Sequence, residues 1–394
     1  AETFTLCAEI PACNADIPGG AAQVYDDLAA QAATAPIPVT YTLADGTQVQ
    51  RQFTTGLLEA NAFYALYSPE GRAEFLRTLA AAGRGNLVPI LQLGYSNMYI
   101  DPETEIGMED PGWFGAAYYA ITCSDYDSGE GTPDERANRI LDEARAFASE
   151  APRLLRSYFV ERIACAYWPY QGRNIRPAPY AGGDFPTLVL NGDHDPITPI
   201  TMAYSVLDNA KNAYGVFMQG GPHVIWGRGH ACPDSIVQAL LYDGTLPASR
   251  EQRCEQEPIS AYTPLTLTDL AQRNDPYTVA HAIETELLGY IPLASWDGDS
   301  GRTFGCPLGG TLTAIPTAEG TDFAFSDCRF WPDLSFSGSG VELSTDAPDD
   351  SLTLTLVISG AQSGKLAYLH RTADEAYSLT GTWNGQPANL PRSP

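Results

Sequence analysis

The spacing of apolar positions changes along the chain and divides it. From Gly20 to Thr34 apolar residues recur at helical spacing, with Val24, Tyr25, Leu28 and Ala29 on one face. Two short runs, Val39 to Leu43 and Thr47 to Phe53, flank Asp45-Gly46, which enters positive φ easily and so predicts a hairpin. The helical period returns from Thr55 to Tyr99, punctuated by Gly83, Gly85 and Pro89. Trp113 to Tyr126 is aromatic and apolar, and an aromatic stripe of this kind is more often core than subsite. Thr132-Pro133-Asp134-Glu135 is a capping box with proline at the first helical position, so a helix starts there and runs toward Arg153.

A different pattern begins at Pro186. Thr187 to Leu190 is a short, branched, continuous apolar run, as expected of a strand buried on both faces. It ends in the polar loop Asn191-Gly192-Asp193-His194-Asp195-Pro196. Thr198 as N-cap and Pro199 at the first position predict a helix through Met202, Tyr204, Val206 and Leu207. A second such strand, Tyr214 to Met218, ends in Gly220-Gly221-Pro222-His223. A right-handed crossover makes the two strands parallel, and both loops then open at the edge where open α/β sheets bind ligands. Asp195 and His223 can meet there. Only these two core-type parallel strands are legible.

A linker from Pro258 to Asp275 and a helix from Pro276 to Leu288 follow. Beyond Asp297 the period becomes two, at Gly310 to Ile315, Asp322 to Phe325, Leu352 to Ile358, Leu366 to Leu369 and Tyr377 to Trp383. Short alternating strands with Gly, Asp and Ser turns predict a small β-sandwich or roll. Gly338-Ser339-Gly340 and the stretch from Gly381 to Gly385 read as its turns, not as phosphate loops, since no helix follows them.

Charge narrows the function classes. Lys+Arg is 22 against Asp+Glu 48, a net charge of −26, and the only lysines are Lys211 and Lys365. Such a field repels phosphate backbones and anionic lipid, which argues against a nucleic-acid or membrane-surface partner. No apolar run approaches a membrane span, and Ala1-Glu2-Thr3-Phe4 looks like a processed end. The eight cysteines fall into sequence-adjacent pairs, 7/13, 123/165, 232/254 and 306/328. About 105 connectivities are open, of which neighbour pairing is the most economical. An even count without zinc spacing points to an oxidising compartment, so the chain is expected to be secreted or at the cell surface. No cofactor is expected.

The order acid then histidine on successive strand ends is the second half of the Ser-Asp-His order of α/β-hydrolases. The residues also carry a family resemblance. NGDHDPITPITMA resembles the acid loop of the tripeptidyl aminopeptidase and proline iminopeptidase-like branch of that fold. GGPHVIWGRGHACPDSIVQALLYDGTLPASREQRC resembles the branch's histidine loop, last helix and closing cysteine. Ala120-Ile-Thr-Cys-Ser-Asp125 and Cys165-Ala-Tyr-Trp-Pro169 are similar to further segments of the branch. The resemblance implies Asp195 as triad acid and His223 as base; His230, beside Cys232 where a helix starts, is not expected in that role.

The expected architecture is the C-terminal part of an α/β-hydrolase followed by a small all-β domain. It has a mostly helical cap over 1–175, the end of the α/β core over 176–258, a linker and helix over 259–296, and a β-sandwich-like domain over 297–394. The nucleophile elbow G-x-S-x-G occurs nowhere in the chain. The nearest strings, around Ser96 and Ser300, each lack the second glycine. The chain begins where the family's cap begins. A serine peptidase reading therefore requires an upstream chain of the same precursor that carries the serine. The alternative is a catalytically inactive relative kept as an extracellular binding or structural subunit. A third reading gathers Asp193, His194, Asp195, His223 and His230 around a metal, although a mid-loop Asp-His-Asp does not space ligands as a helical H-E-x-x-H does. The resemblance implies a peptide substrate with a free N-terminus. Glu103, Glu105, Glu109 and Asp110 are candidates by position for binding its ammonium, Glu105 and Glu109 foremost, although a solvated acidic loop reads the same way.

Overall fold

The computed structural model describes residues 1–109, 112, 114–126, 128–150, 153, 157–170, 178–343, 350–372 and 374–392. Helices α1 (Glu2–Glu9), α2 (Pro11–Asp16) and α3 (Ala21–Thr34) lead to the hairpin of β1 (Ile37–Thr42) and β2 (Gln48–Phe53). Helices α4 (Thr55–Ala65), α5 (Pro69–Gly83), α6 (Val88–Asn97), α7 (Gly115–Asp125), α8 (Pro133–Glu150) and α9 (Ser157–Ala166) follow. The α/β stretch is β3 (Thr187–Gly192), α10 (Ile200–Asn209), β4 (Ala213–Met218), α11 (Ala231–Asp243) and β5 (Glu251–Cys254). A 3₁₀ turn (Leu270–Asn274), α12 (Pro276–Leu288) and α13 (Ile291–Ala294) precede β6 (Arg302–Gly305), β7 (Thr311–Pro316), β8 (Gly320–Trp331) and β9 (Leu334–Leu343). The chain closes with β10 (Ser351–Gly360), β11 (Gly364–Arg371), β12 (Ala376–Trp383) and β13 (Gln386–Arg392).

Local chemistry starts several of these elements. The capping box of α8 forms as read, with the Thr132 backbone N–H donating to Glu135 Oε2 at 2.7 Å and the Glu135 N–H to Thr132 Oγ1 at 3.3 Å. The β1–β2 hairpin turns at Asp45-Gly46, where Gly46 takes φ +83°. All eight cysteines pair as neighbours: Cys7 with Cys13, Cys123 with Cys165, Cys232 with Cys254, and Cys306 with Cys328.

The described residues form two compact units. The first comprises Ala1–Leu28, Thr55–Leu79 and Met108–Thr263. Its sheet has the order β3-β4-β5, with both pairs parallel. A third strand, β5, thus joins the two legible ones. Its sequence Glu-Gln-Arg-Cys is polar because only Cys254 is buried, so periodicity gave no sign of it. The central strand β4 is buried on both faces. Phe217 packs with Ala203, Leu207 and Ala210 on the α10 side, and Val216 and Met218 pack with Ile225 and Cys254 on the other. In the helical part, Ala137 and Ile140 of α8 meet Phe159 and Ala166 of α9, and the Cys123–Cys165 disulfide pins α7 to α9.

The second unit comprises Ala29–Thr54, Ala80–Gly107 and Pro264–Pro394. Here the structure differs from a sandwich or roll: the strands form one eight-stranded antiparallel sheet whose spatial order follows the sequence from β6 to β13. A period of two says only that one face is apolar, and what covers that face is a helix. Val279, Ala280, Ile283 and Leu287 of α12 share one core with Leu312, Phe323, Leu354 and Tyr368 of the sheet. The helix expected beside a linker therefore belongs to this core. The hairpin and α6, expected in the cap, also fall in this unit. Buried Gln92 donates to Tyr290 Oη at 3.1 Å, and that hydroxyl donates to the Gly305 carbonyl at 2.5 Å. Gly338-Ser339-Gly340, read as a turn, lies inside β9. Gly338 sits at φ +143°, where a Cβ would come within 2.0 Å of the Thr355 carbonyl, so the glycine permits strand contact there. Cys306, between β6 and β7, is bonded to Cys328 in β8, so the bridge closes across the first strands of this sheet.

Candidate active site

The acid loop leaves the carboxyl end of β3. Asp195 is 5% exposed, and its carboxylate is saturated with donors. Oδ1 accepts the backbone N–H groups of Ile197 at 2.8 Å and Thr198 at 2.9 Å. Oδ2 accepts the Thr198 hydroxyl at 2.7 Å, the His223 ring at 2.9 Å and, more weakly, the Asn191 amide at 3.4 Å. Burial by itself would push this carboxyl up. The hydrogen bonds from Thr198, His223 and Ile197 outweigh it and hold the group below the usual aspartate range. Thr198 was expected to cap a helix; that helix begins at Ile200, with Pro199 in the cap position, and the Thr198 side chain serves Asp195 instead.

The histidine loop leaves the parallel end of β4. Gly220 has φ +62°, and a Cβ there would lie 2.5 Å from Pro258 Cα, so the loop needs a glycine to pass that backbone. Its N–H donates to Asp193 Oδ1 at 2.6 Å, which ties the two loops together. The N–H of His223 donates to the Tyr67 carbonyl at 2.8 Å, and the Tyr67 ring stands edge-on to the imidazole at 5.5 Å between centroids. Val224, the next residue, adopts φ +67°, a strained conformation for a β-branched side chain.

The arrangement fixes the imidazole's chemistry. An ionised carboxylate can only accept, so the proton on the shared hydrogen bond sits on His223 Nδ1. Nε2 then keeps its lone pair and can accept a proton, and a carboxylate beside Nδ1 can stabilise the imidazolium so formed. The His223 side chain is 25% exposed, against 1% for Asp195, so the imidazole reaches the surface and the carboxylate does not.

His230 is the N-cap residue of α11, and the ring beside Asp195 is that of His223. Asp193 is engaged by Gly220 and by His194 Nδ1 at 2.5 Å, and His194 Nε2 lies 3.2 Å from Glu2 Oε1. Among the described residues no three His, Cys, Asp or Glu side chains are placed to hold a metal ion, so the donors of the metal reading do not converge.

Of the substrate-binding candidates, Glu103 accepts the Ala44 N–H, and Glu105 is held within the second unit by Arg51 at 2.8 Å and the Tyr95 hydroxyl at 2.7 Å. Glu109 is an exposed residue of the first unit. Asp110 and Trp113 lie outside the described residues. Sequence reasoning missed Asn191, the Thr198 hydroxyl and Tyr67. The first two had a signal, a polar residue at each end of the acid loop; Tyr67 had none.

Comparison with known proteins bears on the same stretch. Residues 152–254 match the α/β-hydrolase family model described as TAP-like protein. The chain is also 30% identical over 138 residues to Serine protease Hip1 of Mycobacterium bovis and to Serine protease Hip1 of Mycobacterium tuberculosis. Each alignment takes in 34% of this chain and 25% of the relative, so the chain spans a quarter of the length of the curated relatives it matches. Together these similarities support an α/β-hydrolase serine peptidase family for the chain.

Proposed function

We propose that this chain supplies the acid and base of a secreted serine aminopeptidase whose nucleophile lies on a separate, upstream polypeptide of the same precursor. One observation carries the reading: Asp195 Oδ2 and His223 Nδ1 lie 2.9 Å apart at the ends of adjacent parallel strands. In the reaction, His223 Nε2 takes the serine proton as Oγ attacks the scissile carbonyl. It gives that proton to the departing amine, and then activates water to release the acyl group.

Two features support a serine outside these 394 residues. The 394 residues contain no G-x-S-x-G. Among the described residues β3 pairs only with β4, which leaves one of its edges for another strand, and an apolar strand edge requires a cover. Exposed Phe185, just before β3, and Met202 and Val206 on α10 present apolar surface on the same α/β stretch. In this reading α7, α8 and α9 of the first unit act as a cap that favours chain ends, and a peptide with a free N-terminus is the substrate class suggested by the family similarity. Four disulfides accord with an oxidising, extracellular setting.

The missing elbow equally suits an inactive binding subunit, and one experiment separates the two. The chain is co-expressed with the upstream segment of its precursor and treated with a fluorophosphonate. A serine of the partner that labels, and stops labelling efficiently with His223→Ala, is the expected result. A stable complex without a reactive serine makes the chain a non-catalytic subunit; a soluble monomer that binds no upstream segment rules out the split enzyme.

A further inference from the structure

Arg72 is 2% exposed, and its guanidinium faces main-chain carbonyls. Nη1 donates to Gly220 O at 2.9 Å and Pro258 O at 2.8 Å; Nη2 donates to Leu66 O at 2.9 Å and His194 O at 3.3 Å. His194 immediately precedes Asp195, and Gly220 lies three residues before His223. One planar group therefore holds the acid loop and the histidine loop at a set separation. The same α4–α5 connection supplies the Tyr67 carbonyl that accepts the His223 N–H, and Leu66, Tyr67 and Arg72 together form the bed on which both loops rest.

We infer that Arg72 is a positioning residue for the Asp195–His223 pair, acting through the carbonyls of His194 and Gly220. The inference rests on the peptidase reading only for its effect on rate; the placement of the imidazole is a property of this chain. Burial lowers the guanidinium pKa, and the nearby carboxylates of Glu2, Glu70, Asp193 and Asp195 oppose that lowering. Charge by itself does not satisfy the site. A lysine keeps the charge, but its single ammonium has three donors diverging from one atom and does not reproduce a fork that serves four carbonyls in a plane. Arg72→Lys therefore separates a requirement for positive charge from a requirement for spacing.

The test follows the histidine ring N–H protons of the intact chain by NMR. The His223 Nδ1–H held by Asp195 is expected as a downfield, exchange-protected resonance, with His230, His281 and His370 as internal references. Arg72→Lys is expected to broaden or remove that resonance, because loops no longer held at their spacing open the hydrogen bond to water. Asp195→Asn should do the same, while the ring resonances of the second unit, those of His281 and His370, stay in place. A His223 Nδ1–H resonance unchanged in Arg72→Lys overturns the inference, and so does the loss of every ring resonance together, which marks general loosening. Should Arg72→Lys not fold, the wild-type chain decides. In arginine-labelled protein the four Arg72 Nη protons are expected as separate, exchange-protected resonances, and a single averaged resonance overturns the clamp. In an active assembly Arg72→Lys should lower kcat roughly 10²-fold with KM nearly unchanged, as expected of a misplaced base. If no assembly hydrolyses or labels and Arg72→Lys still removes the His223 Nδ1–H resonance, the peptidase reading fails and the positioning role stands.

Discussion

The hydroxyl of Thr198 donates to the same carboxylate oxygen of Asp195 that holds the His223 ring, at 2.7 Å and 2.9 Å respectively. A buried carboxylate stays ionised only if donors replace the water it loses, and here most of them come from the four residues that follow it or from the facing loop. The carboxylate is thus held ionised largely by its own turn.

Thr198→Val removes one of those donors without changing the side-chain volume much. A hydrogen bond to a charged group contributes about 1.5–3 kcal/mol, so the variant should be less stable by about that amount at neutral pH. The sign over pH follows from the direction of the Asp195 shift. Its folded pKa is depressed, so the stabilisation is fully present above the unfolded value and is lost as pH falls through the folded one. Urea unfolding at successive pH values should show the two proteins diverging above pH of about 4 and converging in stronger acid. A constant offset at every pH would contradict this.

Glu284 of α12 is a second buried carboxylate, 4% exposed, in the other unit. It accepts His281 Nδ1 at 3.0 Å, His370 Nδ1 at 2.6 Å and the Tyr368 hydroxyl at 2.5 Å. Burial would raise its pKa, but these donors bring it below the usual glutamate range. Glu284→Ala removes the acceptor that these three groups share, leaving the 3.3 Å contact between His281 Nδ1 and the Tyr368 hydroxyl, and should cost about 3–5 kcal/mol, which thermal unfolding of the chain would register. As with Asp195, the stabilisation is lost as pH falls through the depressed value, so the penalty should shrink in strong acid.

Val224 holds φ +67° while half its surface is exposed, so little packing offsets the backbone strain. Val224→Gly should stabilise the chain by about 0.5–1 kcal/mol, since glycine occupies that region freely. Val224→Ala should not, because alanine keeps the Cβ that causes the strain. Denaturant midpoints of the two variants test this, and equal midpoints would contradict it.

The Cys232–Cys254 bridge ties the first turn of α11 to the short strand β5. Replacing both cysteines with serine should cost about 2–4 kcal/mol and expose the β5 amides to hydrogen exchange before those of β4. Protection of β5 equal to that of β4 in the variant would show that the ladder holds the strand without the bridge.

What the sequence determined by itself is what neighbouring residues encode. Continuous, branched apolar runs located β3 and β4, turn chemistry placed Asp195 and His223 at their ends, Asp45-Gly46 made the hairpin, and Thr132 to Glu135 started α8. These are short-range effects, in which a few adjacent side chains decide the backbone's conformation. Packing between distant segments decided the rest. The polar strand β5 exists because β4 offers it a ladder, and Gly338 is strand rather than turn because β10 passes so close to it. The cover on the C-terminal sheet is α12, a choice that an alternating pattern leaves open. Thr198 left its capping role because a buried carboxylate lay within reach, and Arg72 reaches loops more than a hundred residues away. Periodicity records which face of an element is apolar; it does not record which other element meets that face, and the contacts that hold the Asp195–His223 pair in place are of that second kind.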